Sequence, residues 1–131
     1  MALPNGAGGY QLGDGNLTEV VLGTQTTPSA EIAAATLTAA ELAIGIITFN
    51  GTAGALTVPL GTDLDIAFPS MKVDSSFDFV IINTDASDAA TVTANTGCTL
   101  VGVAAVNAVT SAMWRVRKTG EATYVFYRIA G

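Results

Sequence analysis

Three carboxylate pairs lie close enough in sequence for acid–base work: Asp63 with Asp65, Asp74 with Asp78, and Asp85 with Asp88. A glycosidase needs two such groups converging across a cleft. These pairs fall in stretches that read as turns or strand edges, where solvated Asp ordinarily sits. The chain has no His, the usual general base and the usual activator of a nucleophile. Its single cysteine, Cys98, has no imidazole to activate it and reads as a small buried hydrophobe. One cysteine also excludes an internal disulfide and a cysteine zinc cluster. Asn83, Asp85 and Asp88 could offer oxygens to calcium, but their spacing matches no EF-hand loop, and Asx-type turn capping is the preferred reading. Gly6, Gly8 and Gly9 do not make a phosphate loop, since no Lys-Ser/Thr follows and no strand precedes. Asn16 and Asn50 open Asn-x-Thr triplets, which are glycosylation acceptors only in a secretory pathway. The expectation is a protein that is not an enzyme, takes no cofactor and no metal, and acts through its surface.

The chain that must position these groups has 131 residues, half of them apolar and only 12% charged. That length fits one domain with a core of its own, and that composition excludes disorder throughout. The apolar set is mostly Ala, Val, Ile and Leu, beside abundant Thr and Gly, which suits short strands joined by turns. No run of about 18 uninterrupted apolar residues exists, so no membrane helix is expected. The first residues show neither a basic start nor an apolar stretch, so no secretory signal is expected either. High mean hydropathy without a membrane segment points to surface buried in an assembly. The net charge is −6, and Asp14, Glu19, Glu31, Glu41, Asp63 and Asp65 precede the first basic residue, Lys72. Such a chain is a poor match for a nucleic-acid backbone. Four of the five basic residues, Arg115, Arg117, Lys118 and Arg128, lie near the C-terminal end, so the basic part of one copy could meet the acidic part of another.

Residues 1–28 are Gly-rich and read as an extended arm, with a short strand near Glu19 and Leu22 and with Leu3, Pro4, Tyr10 and Leu12 as its docking side chains. Residues 29–131 read as the domain. Its first stretch, 29–37, is Ala-rich and ambiguous between strand and helix. Thr38 and Glu41 have capping-box spacing, which predicts a short helix ended by Gly45. Ile46 to Phe49 reads as a strand and Asn50-Gly51 as a turn. Leu56, Val58 and Leu60 alternate with smaller or polar residues, as on a half-buried strand. Residues 62–65 read as a second helix start that must stop before Pro69. The run Phe-Asp-Phe-Val-Ile-Ile-Asn over 77–83 reads as a central strand buried on both faces. Further strands are expected near 91–94 and 98–101. The sum is about eight short strands and two helical turns: an all-β, β-sandwich or jelly-roll-like domain with an extended N-terminal arm.

Residues 111–129 read as a β-hairpin. With the turn centred on Gly120 and Glu121, Val116 faces Val125, Trp114 faces Tyr127 and Ala112 faces Ile129, and these pairs form the core face. The other face then carries Met113, Arg115, Arg117, Tyr124, Phe126 and Arg128. Arg beside aromatic rings is typical of a subunit contact, and equally of a solvated face whose Arg stems shield the rings. A one-residue bulge would exchange the two faces.

Four stretches taken in order carry a resemblance: Thr-Leu-Thr-Ala-Ala-Glu-Leu at 36–42, Val-Pro-Leu-Gly-Thr-Asp-Leu at 58–64, Ser-Phe-Asp-Phe-Val-Ile-Ile-Asn at 76–83, and the hairpin. The order resembles small structural proteins of tailed bacteriophages, above all head decoration (cement) proteins, with related modules in tail fibres. It covers roughly residues 36–131 and leaves out the arm. The resemblance implies a β-rich module that forms a homotrimer on the outer capsid surface of the virion, with the major capsid protein and itself as partners. It supplies no catalytic residues. The alternative reading is a receptor-binding or structural module of a tail fibre or spike.

Overall fold

A computed structural model describes residues 22–131. The proposed arm contacts Leu3, Pro4, Tyr10 and Leu12, and Glu19 of the expected short strand, lie outside the described residues. From Leu22 to Pro28 the chain is exposed and has no helix or strand.

The fold is mainly β, with two mixed sheets and two short helices. The elements are β1 (Ser29–Glu31), β2 (Ala35–Thr36), α1 (Ala39–Ile44), β3 (Ile46–Phe49), β4 (Gly54–Thr57), α2 (Gly61–Ala67), β5 (Ser76–Asn83), β6 (Ala90–Thr93), β7 (Cys98–Val101), β8 (Ala105–Val106), β9 (Ser111–Gly120) and β10 (Thr123–Ala130). The larger sheet runs β1-β3-β5-β9-β10-β7 and the smaller β2-β4-β6-β8. From β1 to β8 successive strands alternate between the sheets, so neighbours within a sheet come from different passes of the chain. That is why β1-β3, β3-β5, β2-β4 and β4-β6 are parallel, as is β7-β10. A parallel neighbour needs a crossover, and here the other sheet supplies it. A jelly roll is built from antiparallel strands, so this pairing departs from that part of the expectation.

The Ala-rich stretch resolves as two very short strands, β1 and β2. The capping box of α1 forms as its spacing predicts. Thr38 accepts from the Glu41 N–H while Glu41 accepts from the Thr38 N–H, and Gly45 closes the helix in the left-handed conformation. The second start signal behaves differently. Leu60 occupies the N-cap of α2 without a side-chain hydrogen bond, and Asp65 turns away toward the hairpin. The helix does end before Pro69.

Both sheets and both helices contribute to one buried cluster. Ile47, Phe49, Phe79, Ile81, Trp114 and Phe126 come from the larger sheet, Leu56, Val92 and Val106 from the smaller, and Leu42 and Leu64 from the helices. Phe79 and Phe126 meet edge to face, with ring centroids 6.1 Å apart. Strand β5 is interior to its sheet, as expected, but only its inward residues Phe79, Ile81 and Asn83 are fully buried. Val80 and Ile82 on its outer side are half-covered.

The hairpin forms, but its register differs from the sequence reading. The turn falls on Glu121 and Ala122, with Gly120 opposite Thr123, and Thr119 is an extra residue on β9. Val116 therefore faces Phe126, not Val125, and Tyr127 faces Arg115. The inward set becomes Ala112, Trp114, Val116, Tyr124 and Phe126, all buried. Tyr124 and Phe126 are thus core residues and not part of a subunit interface. This is the exchange of faces that a bulge produces in a period-two strand.

Candidate functional site

The outward face of the larger sheet is the surface the corrected register assembles. On β9 it presents Met113, Arg115 and Arg117, on β10 Val125 and Tyr127, and on β5 Asp78, Val80 and Ile82. Met113 is 37% exposed. Arg128 has the opposite parity, since it faces Trp114. It escapes burial at the end of the sheet, where its guanidinium donates to the carbonyls of Val103 and Ala105. Of the six residues expected as a subunit contact, Met113, Arg115 and Arg117 share this face. Tyr124, Phe126 and Arg128 do not.

The two arginines lie flat on the sheet. Arg115 Nε and Nη2 donate to the two carboxylate oxygens of Asp78 at 2.7 and 3.0 Å. Arg117 Nε and Nη2 converge on Oδ1 of Asp74 at 3.1 and 2.8 Å, and its Nη1 donates to the Tyr127 hydroxyl at 2.9 Å. The hydrogen bonds from Arg115 hold the Asp78 carboxyl below its ordinary range. Bidentate geometry of this kind fixes long side chains that would otherwise wander. Three participants had another reading from sequence: Asp74 and Asp78 as a carboxylate pair at a turn or strand edge, and Tyr127 as a core residue opposite Trp114. The available signal was Asp78, the only charged residue in an otherwise apolar strand, whose partner had to come from the strand beside it.

A second polar group braces this face from within. Asp65 on α2 accepts from the Tyr124 hydroxyl, from the Ala122 N–H at 2.7 Å and from Lys118 Nζ at 2.9 Å. The hydrogen bond from Tyr124, then that from Lys118, lowers the Asp65 pKa, while burial and Asp65 raise that of Tyr124. Ala122 sits at φ +51°, a strained position for a residue with a Cβ, and Asp65 holds it there. Lys118 reaches Asp65 because it continues the inward alternation of Ala112, Trp114 and Val116 along β9, and the bulge at Thr119 sets Tyr124 opposite it. The carbonyl of Ala122 in turn presses on Gly61 and Gly97, where an added Cβ would collide with it.

The remaining candidates resolve locally. Asp85 accepts from the N–H groups of Ser87 and Asp88 at 2.9 and 2.8 Å, an Asx turn, and these bonds lower its pKa. Asn83, buried, spends its amide on the carbonyls of Asp88 and Val106. The loop read as Asx capping is therefore so. Burial pushes the Cys98 thiol up to about 11, and its Sγ donates to the Pro59 carbonyl at 3.3 Å. It packs as a small hydrophobe. Asp63 and Asp65 part company, the first exposed and the second bound to the hairpin.

Chemically, the outward face offers apolar contact from Met113, Val125, Val80 and Ile82 around a fixed array of guanidinium, carboxylate and phenol groups. Met, Arg and Tyr are among the residue types enriched at protein interfaces. No family model, no curated protein and no solved structure matches this chain.

Proposed function

We propose that this chain is a structural virion protein, a decoration (cement) protein that binds the outer surface of an icosahedral phage head. In this reading it trimerises, and it clamps neighbouring capsomers of the major capsid protein without catalysis or cofactor. The two sheets act as the layers of a sandwich that displays the contact surface, and residues 1–28 act as an arm. The observation that carries the proposal is the outward face of the larger sheet. Its arginines are already fixed by Asp78, Asp74 and Tyr127, so little side-chain freedom remains to be lost on association. The resemblance of four ordered stretches to phage decoration proteins supplies the class of partner. A ligand that binds only the assembled lattice stabilises that lattice by mass action.

Immunogold labelling of purified virions with an antibody to this chain tests the assignment. Label over the head supports it, and label confined to the tail replaces it with a receptor-binding or structural module. Binding of a chain starting at Asp14 to expanded heads tests the arm. It should fold and bind weakly; undiminished binding removes the arm from the mechanism.

A further inference from the structure

The two sheets of the described residues have four edges, and three of them are blunted. β2 and β8 are each two residues long. β1 has three residues, carries the charge of Glu31 and follows Pro28. Short strands, charges and proline are the usual guards against pairing with another chain. The fourth edge, β7, has four residues with neither a charge nor a proline. It pairs only with β10, and parallel to it. The Tyr124 N–H donates to the Gly97 carbonyl at 2.8 Å. With Tyr124 opposite Cys98, that bond fixes the parity of the ladder. Thr99 and Val101 turn their backbone groups to β10, and Leu100 turns its N–H and C=O outward. Among the described residues no turn, loop or cap bonds to either group of Leu100. The side chains beside this edge are apolar and uncovered, with Val101 50% and Val103 68% exposed.

The way the chain enters the domain points to an occupant. Residues 17–22 read Leu-Thr-Glu-Val-Val-Leu, a strand-like stretch whose last residue, Leu22, begins the described residues and is 86% exposed. From Leu22 the chain passes Gln25, whose Nε2 donates to the Ile44 carbonyl at 2.9 Å, and enters the sheet at β1, the edge opposite β7. A strand added outside β7 lies six strand spacings from β1, about 29 Å. The seven steps from Leu22 to Ser29 span at most about 25 Å when fully extended, and the Gln25 bond draws the middle of that run aside to the end of α1. A strand over 17–22 therefore falls short of its own β7. The β7 edge of a second copy carries no such limit.

We propose that residues 17–22 of one copy add a strand to the β7 edge of the next, pairing with the outward backbone groups of Leu100 and covering Val101 and Val103. This rests on the arm and the trimer of the decoration reading, and it makes a second copy the partner of the arm. Val20 and Leu22 alternate with Val21, so either parity of the added strand brings apolar side chains to the exposed valines. The root of the donor lies at one edge of the larger sheet and the acceptor at the other, so the contact is head-to-tail. A head-to-tail contact closes into a ring when its rotation permits, and a trimer is such a ring.

Light scattering, with hydrogen exchange at the Leu100 amide, on the full chain and on its Val20→Pro/Val21→Pro variant tests the contact. Both positions lie outside the described core, and whichever parity the strand takes, one proline removes a pairing N–H. The natural chain should be a trimer with a protected Leu100 amide. The variant should be a monomer of unchanged circular dichroism, with Leu100 exchange at least about tenfold faster. A variant that keeps the natural mass, or Leu100 exchange that is alike in both, overturns the proposal. So does a natural chain that is monomeric in solution. A Leu100 amide protected in that monomer assigns the edge to the chain's own arm, and one protected only on expanded heads assigns it to the major capsid protein. Immunogold label confined to the tail removes the decoration reading and leaves this contact standing, whereas failure of the contact leaves label over the head unchanged.

Discussion

At the scale of single residues, Asp65 ties helix α2 to the turn and inner face of the hairpin. It lies 57 residues from Ala122 and 59 from Tyr124, and it binds both. The sequence reading placed it in a helix start signal, because Thr-x-x-Asp spacing is a local pattern and the hairpin was out of view. Tyr124 shows the same lesson from the other side. Its ring is buried against the core while its hydroxyl reaches a carboxylate, so Tyr124→Phe loses a hydrogen bond to a charged group. We expect a loss of about 1.5–3 kcal/mol at neutral pH by denaturant unfolding. Asp65 is lowered in the fold, so its contribution holds above the ordinary carboxyl value of 3.8 and disappears as pH falls through the folded value. The gap between Tyr124→Phe and the natural chain should therefore narrow in acid. A gap that stays constant with pH would mean that the hydroxyl does not depend on the ionised carboxylate.

At the scale of elements, local signals and long-range contacts divide cleanly. The capping box of α1 and the Gly45 stop were legible because both depend on residues within a single turn of helix. The hairpin was legible as a hairpin, but its glycine was misjudged. Gly120 reads as the turn residue, yet an added Cβ there would meet nothing closer than Thr123 at 3.9 Å. The glycines the turn requires are Gly61 and Gly97, on other elements, which make room for the Ala122 carbonyl. Gly61→Ala should cost about 1–3 kcal/mol, the usual range for forced overpacking, and Gly120→Ala should cost far less. Thermal melts of the two variants provide the comparison, and equal melting temperatures would count against the wedged turn.

At the scale of the whole molecule, the corrected register changes what an interface test must contain. Phe126 is in the core, so truncating it unfolds the domain and says nothing about association. Met113 and Tyr127 are on the outward face, and truncating both leaves the core cluster intact. Light scattering should show the Met113→Ala/Tyr127→Ala variant as a smaller species than the natural chain, with unchanged circular dichroism. Identical masses would show that this face is merely solvated. The amino-acid sequence by itself determined the mainly-β class, the positions of most strands and of both helix starts, and the lack of an imidazole, since these follow from composition and from patterns a few residues long. Only the tertiary structure decided which side of β10 faces inward and which arginine meets which carboxylate. Side-chain parity in a strand reverses with one extra residue, and the placement of that residue, Thr119, goes with contacts to Asp65, Gly61 and Gly97 from distant parts of the chain.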